Sequence, residues 1–108
     1  MPCHHRLVMK VPRKLKRISR LEPKSLAERG LKLCEENGEL AAEIFKLLGK
    51  KKTNQTKKET LEHLREEAVD CLIMALDILV KVKTSDKTIN RILNAKLDKW
   101  LDKMEKRR

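Results

Sequence analysis

The chain has 108 residues, enough for one small domain, and carries a net charge of +11 with only two aromatic side chains, Phe45 and Trp100. Such a surplus of cations attracts polyanions, but the near absence of aromatics argues against a base-stacking nucleic-acid binder. No apolar run is long enough to span a bilayer and no signal peptide is evident. Cys3, Cys34 and Cys71 form no C-x-x-C pair, so the chain reads as a cytoplasmic protein with reduced thiols.

Residues 1–24 hold eight Lys or Arg against Glu22 alone, with Pro12 and Pro23 interrupting the run. This basic segment reads as a solvated, partly ordered tail. A nucleic-acid arm or a phosphate-facing flap is the functional alternative. His4 and His5 are adjacent and diverge in regular geometries, so neither is assigned to a metal.

A helical domain is expected over 25–108. Ser25-Leu26-Ala27-Glu28 has the form of a capping box and opens a first helix running to about Leu48. Gly49 then suits a left-handed cap, and Lys50-Lys51-Lys52 follows the negative helix end. Glu36, Glu39 and Glu43 fall within about 60° of one another on this helix and border its apolar surface, whereas Glu35 points to the flank.

A second capping box, Thr56-Lys57-Lys58-Glu59, opens the long central helix, which ends near Lys83. Between Leu61 and Val82 this helix has no Pro or Gly and is apolar around most of its circumference, the pattern of a helix buried in a bundle. Yet it carries Glu66, Glu67, Asp70 and Asp77. Glu67 and Asp70 lie one turn apart on one side, where their carboxylates can converge. Buried acids without a partner are costly, and a divalent cation is the natural counter-charge; a solvated acidic seam is the simpler alternative.

Ser85 caps a third main helix, with Asp86 in its first turn. This helix is expected to bury Ile89, Ile92, Leu93, Leu97, Trp100, Leu101 and Met104. Lys96 lies inside that stripe and Lys99 at its edge, so each calls for an anionic partner unless it snorkels to solvent. With so few large side chains, the core is expected to be completed by self-association. No strand or internal repeat is evident; the fold class is all-α.

Two motifs stand out: Glu36-Asn37-Gly38-Glu39 on one helix and Glu67-Ala68-Val69-Asp70 on the next. Packed antiparallel, they could offer four carboxylates to one or two hard cations. An all-oxygen set without a Glu-x-x-His pair favours Mg²⁺, or Mn²⁺, over iron or zinc. Leu31-Lys32-Leu33-Cys34-Glu35-Glu36-Asn37-Gly38-Glu39-Leu40, followed by Glu66-Glu67-Ala68-Val69-Asp70, resembles the MazG-like all-α nucleoside triphosphate pyrophosphohydrolases, whose signature is E-x-x-E followed by E-x-x-D. Asn94-Ala95-Lys96-Leu97-Asp98-Lys99 is similar to that family's N-x-K-F-x-x-R segment, with Leu97 in place of Phe and Lys99 in place of Arg.

The resemblance implies a helical bundle acting as a homodimer or homotetramer. It implies Mg²⁺ bound by Glu36, Glu39, Glu67 and Asp70, with Lys96 and Lys99 on phosphates. The activity implied is hydrolysis of an NTP or dNTP to NMP and pyrophosphate, in house-cleaning or nucleotide-pool control. Glu35, Glu43 and Glu66 are candidates to orient ligands or accept a proton. Asn94 projects about 160° from Lys96 on a helix, so the two cannot face one pocket of the same subunit. The alternative from another class is a non-catalytic, basic helical nucleic-acid-binding protein.

Overall fold

The computed structural model describes residues 8–107, so Cys3, His4 and His5 lie outside the described residues. Four helices follow in order: α1 (Arg13–Leu21), α2 (Leu26–Leu47), α3 (Lys57–Lys81) and α4 (Asp86–Lys106). Among the described residues there is no strand, in keeping with an all-α chain.

The helix ends form where the local chemistry places them. Ser25 Oγ accepts from the Glu28 amide at 3.1 Å, and Glu28 Oε1 accepts from the Ser25 amide at 2.8 Å. Thr56 and Glu59 repeat this reciprocal pair at the start of α3. Ser85 caps α4 by accepting from the Thr88 amide. At the end of α2, Gly49 takes φ +73° and the Lys50 amide donates back to Phe45. The end of α3 has the same form, but Lys83 stands at φ +60°, a conformation that favours glycine.

The basic N-terminal segment does not behave as the expected solvated tail throughout. Residues 13–21 form α1, with Val11, Leu15 and Ser19 buried. Val11 and Leu15 join Leu76 of α3 and Ile89 of α4 in a small apolar core, against which Met9, Leu79 and Val80 pack. Asn90 ties the incoming chain to α4. Its Oδ1 accepts from the amides of Val8 and Met9, and its Nδ2 donates to the carbonyls of Met9 and Asp86.

Arg29 of α2, itself buried, makes five polar contacts. Its five donors meet Lys24 O, Ser19 Oγ, Asp77 Oδ1, Ser19 O and Glu22 O at 2.5–3.1 Å. The carbonyls of Ser19 and Glu22 belong to the C-terminal end of α1, where unpaired carbonyls attract a cation. One side chain thus joins α1, α2 and α3.

The expectation that α3 and α4 are buried along their apolar stripes is corrected. Val69, Leu72 and Ile73 of α3 and Val82 at its C-cap are exposed, as are Ile92, Leu97, Trp100, Leu101 and Met104 of α4. Only Ile89 and Asn90 of α4 are buried, because the helix leaves the other three after its first turns. The resulting body is flat, 50 × 48 × 22 Å, with a radius of gyration of 17.1 Å. A compact chain of this length would have about 13 Å.

Arg29→Ala should lower the unfolding free energy by about 3–5 kcal/mol, since it leaves Asp77 buried and unpaired and frees the end of α1. Urea denaturation followed by circular dichroism measures this; a loss below about 1 kcal/mol would show that the node holds nothing together.

Candidate metal centre

Along the α2–α3 interface, Arg29 meets Asp77, Glu36 meets Glu67 and Asp70, and Glu43 meets His63. Numbers rise on one helix as they fall on the other, so the pair is antiparallel. The capping boxes set where each helix starts, and the Arg29–Asp77 pair fixes their relative register. That register brings the two acidic motifs level.

Glu36, Glu67 and Asp70 each offer a carboxylate oxygen, and these three atoms lie within 4.8 Å of one another. Glu35, Glu36 and Glu39 form a second such group on α2. Glu36 belongs to both. The four acids expected from the sequence are therefore brought together in two overlapping sets, with Glu39 exposed at the edge and Glu36 buried at the centre.

Glu36 Oε2 and Glu67 Oε2 are buried and have no hydrogen-bond partner. An orphaned buried carboxylate oxygen is expensive, and two facing each other are more so. Burial pushes the Glu67 carboxyl up to about 7, helped by hydrogen bonding to Glu36 and Glu39 and by their charge. Burial also opposes ionisation of Glu36, but hydrogen bonds from Lys32 and from the Glu67 carboxyl outweigh it and hold Glu36 below the ordinary carboxylate range. Of the two, Glu67 is the carboxyl that holds a proton more readily. Lys32 Nζ sits 3.3 Å from both Glu35 Oε1 and Glu36 Oε1, and these contacts raise its own affinity for a proton. The Cys71 thiol beside the cluster is pushed up by burial and by the surrounding acids.

The donor set fits a hard divalent cation. Oxygens bound to one Mg²⁺ at about 2.1 Å lie about 3–4.2 Å apart, so Glu36, Glu67 and Asp70 would need to close only slightly. Two unpartnered buried oxygens are what such an ion would occupy.

The remaining candidates are placed differently. Glu43 is buried two turns along α2 from Glu36; Lys46 Nζ donates to its Oε2 at 2.7 Å, and His63 lies 3.8 Å from its Oε1. It belongs to neither acidic set. Glu66 is exposed and lines a shallow surface groove with Glu62, Arg65, Val69 and Asp70. Lys96 and Lys99 are exposed on the projecting part of α4, and Asn94 is half-buried there. Lys96 therefore does not lie within a buried stripe as expected. Sequence reasoning missed Lys32, although its position four residues before Glu36 was a usable signal. It also missed the Arg29–Asp77 pair, whose partners are 48 residues apart and carry no local signal.

Comparisons with protein-family profiles, with characterised proteins and with solved structures found no match to this chain.

The raised Glu67 carboxyl predicts a pH dependence. Between the unfolded carboxylate value, near 4.5, and about 7, the native state holds more protons than the unfolded one, so stability falls as pH rises through that window. Without metal, Tm should drop over this range in the wild type and stay flatter in Glu67→Gln. Added Mg²⁺ competes with the proton on Glu67, so its stabilisation should grow as pH passes 7. Scanning calorimetry across pH, with and without Mg²⁺, checks both; matching profiles for the two proteins would refute the raised Glu67 carboxyl.

Proposed function

We propose that this chain is a Mg²⁺-dependent nucleoside triphosphate pyrophosphohydrolase of the MazG-like all-α type, converting an NTP or dNTP and water to NMP and pyrophosphate. The observation that carries this reading is the convergence of Glu36, Glu67 and Asp70, with Glu36 Oε2 and Glu67 Oε2 buried and unpartnered. The order of the motifs, on helices that start at the expected capping boxes, supports it.

In this reading Glu36, Glu67 and Asp70 hold the metal, and Glu39 joins from the solvent edge. Bound Mg²⁺ supplies charge neutralisation on the phosphates and a more acidic water. Glu67 gives up its proton when the site loads. Lys32 holds Glu35 and Glu36 in place and presents a positive charge beside the phosphate path. The basic residues of 50–58 draw the polyanionic substrate inward.

The uncovered α4 is read as the surface on which a homodimer or homotetramer forms in the cytoplasm. Trp100, 63% exposed, together with Leu97 and Leu101 gives that contact its apolar centre. Lys96 and Lys99 then reach phosphates bound at another subunit's acids, since they do not approach those of their own chain. Light scattering of the wild type should give a multiple of the monomer mass, and Trp100→Lys should reduce it. A monomeric wild type at micromolar concentration would remove this part of the reading.

A panel of NTPs and dNTPs with Mg²⁺ tests the activity itself. Pyrophosphate should be released from at least one of them. Glu67→Gln and Asp70→Asn should each lower turnover by at least about 100-fold with unchanged helicity, as expected for direct metal ligands. Absence of pyrophosphate from every nucleotide would end the enzymatic reading. A basic nucleic-acid-binding protein is the second reading, favoured by exposed Arg13, Lys14, Arg17 and Arg20, which have no ion-pair partner among the described residues. It leaves the buried carboxylates without a purpose.

A further inference from the structure

α1 carries its charge differently from the other three helices. Its nine residues, Arg13–Leu21, hold five cations and no acid. Leu15 and Ser19 turn inward, and Lys16 lies 3.6 Å from Asp86. Arg13, Lys14, Arg17 and Arg20 stay on the outward half, all exposed and without an ion-pair partner among the described residues.

This arrangement opposes the stability of the helix that carries it. Arg13 and Lys14 sit at its positive N-terminal end, Pro12 provides no side-chain cap, and no acid occupies the first turn. Arg13 and Arg17, Lys16 and Arg20, and Arg17 and Arg20 are like charges one turn apart, and each such pair is mildly destabilising. By contrast, α2, α3 and α4 each begin with a side-chain cap and an acid in the first turn. A polyanion laid over the outward face of α1 relieves both penalties at once.

We propose that this face docks double-stranded DNA, gripping phosphates along one strand without reading the sequence. Arg13, Arg17 and Arg20 fall within about 60° around the helix and span about 10 Å along it, a distance over which one DNA strand presents about three phosphates. Guanidinium forks suit phosphate better than ammonium groups do. Such contacts position a protein on the duplex and specify no bases. No aromatic side chain lies on α1 to stack on unpaired bases, which favours a duplex over a single strand. With its side chains an α-helix is about 10–12 Å across, matching a major groove of about 12 Å in B-form DNA, whereas the major groove of duplex RNA is too narrow. A membrane surface fits less well, because Val11 and Leu15, the apolar residues that would insert, are already in the core. The assignment uses none of the acids at the α2–α3 interface and stands apart from the pyrophosphohydrolase reading.

Fluorescence anisotropy of a labelled mixed-sequence duplex DNA, titrated with the full chain in EDTA, tests this. Affinity should fall with salt at a log–log slope of about −3 to −4, from four cations at about −0.9 each. Arg17→Gln should make that slope shallower by about 1. Arg13→Glu should weaken binding at least about tenfold at low salt and yet raise Tm, since an acid there meets the helix N-terminus and faces Arg17. No binding at about 50 mM salt, or a wild-type slope in Arg17→Gln, would overturn the assignment. So would a lower Tm in Arg13→Glu, or equal affinity for duplex RNA or for phosphatidylserine vesicles. Pyrophosphate release without DNA binding keeps the enzyme and removes this docking face; the reverse result removes the enzyme alone.

Discussion

Arg29 is the constraint on which the rest of this arrangement depends. A guanidinium 2% exposed to solvent survives burial only when its donors are met, and here five donors find five acceptors on three segments. The carboxylate of Asp77 neutralises its charge, and the carbonyl end of α1 supplies further negative potential. Because these acceptors come from α1, the α1–α2 connection and α3 together, the contact exists only when all three are in place. It fixes the register of α2 against α3, and the register decides which acids face each other two turns further along.

That interface is unusual in being polar along its length. A pair of helices normally buries an apolar stripe, but here Arg29–Asp77, the acidic cluster and Glu43–His63 follow one another between α2 and α3. Each pairing differs in how well it is satisfied. Arg29 is saturated, Glu43 is half-satisfied by Lys46, and Glu36 and Glu67 face each other with two oxygens unmet. Uncompensated polar burial is destabilising, and here it falls on carboxylates of α2 and α3. Glu43 Oε1, further along the same interface, is likewise buried without a hydrogen-bond partner.

The apolar surface follows a different logic. Four buried hydrophobic residues make a small core, and it joins the start of the described chain to the C-terminal half of α3 and the first turn of α4. Beyond that turn α4 carries its stripe into solvent, which accounts for the flat body and large radius of gyration. Past its first turn, α4 keeps an apolar face that no other helix covers among the described residues.

The sequence by itself determined the local structure. Ser25–Glu28 and Thr56–Glu59 are reciprocal pairs within one turn, Ser85 is a single-residue cap, and Gly49 answers a backbone angle, so each could be read from its immediate neighbours. The acidic motifs were legible for the same reason: Glu36 and Glu39, like Glu67 and Asp70, share a helix face by spacing alone. Tertiary structure decided what spacing cannot encode. It turned part of a basic segment into α1 through Val11, Leu15 and Ser19, paired Arg29 with Asp77 across 48 residues, and left Leu97, Trp100 and Leu101 uncovered. It also chose which carboxylates lose water, burying Glu36 while leaving Glu35 and Glu39 at the surface. Periodicity tells which side of a helix is apolar, whereas burial depends on whether another element arrives to cover it.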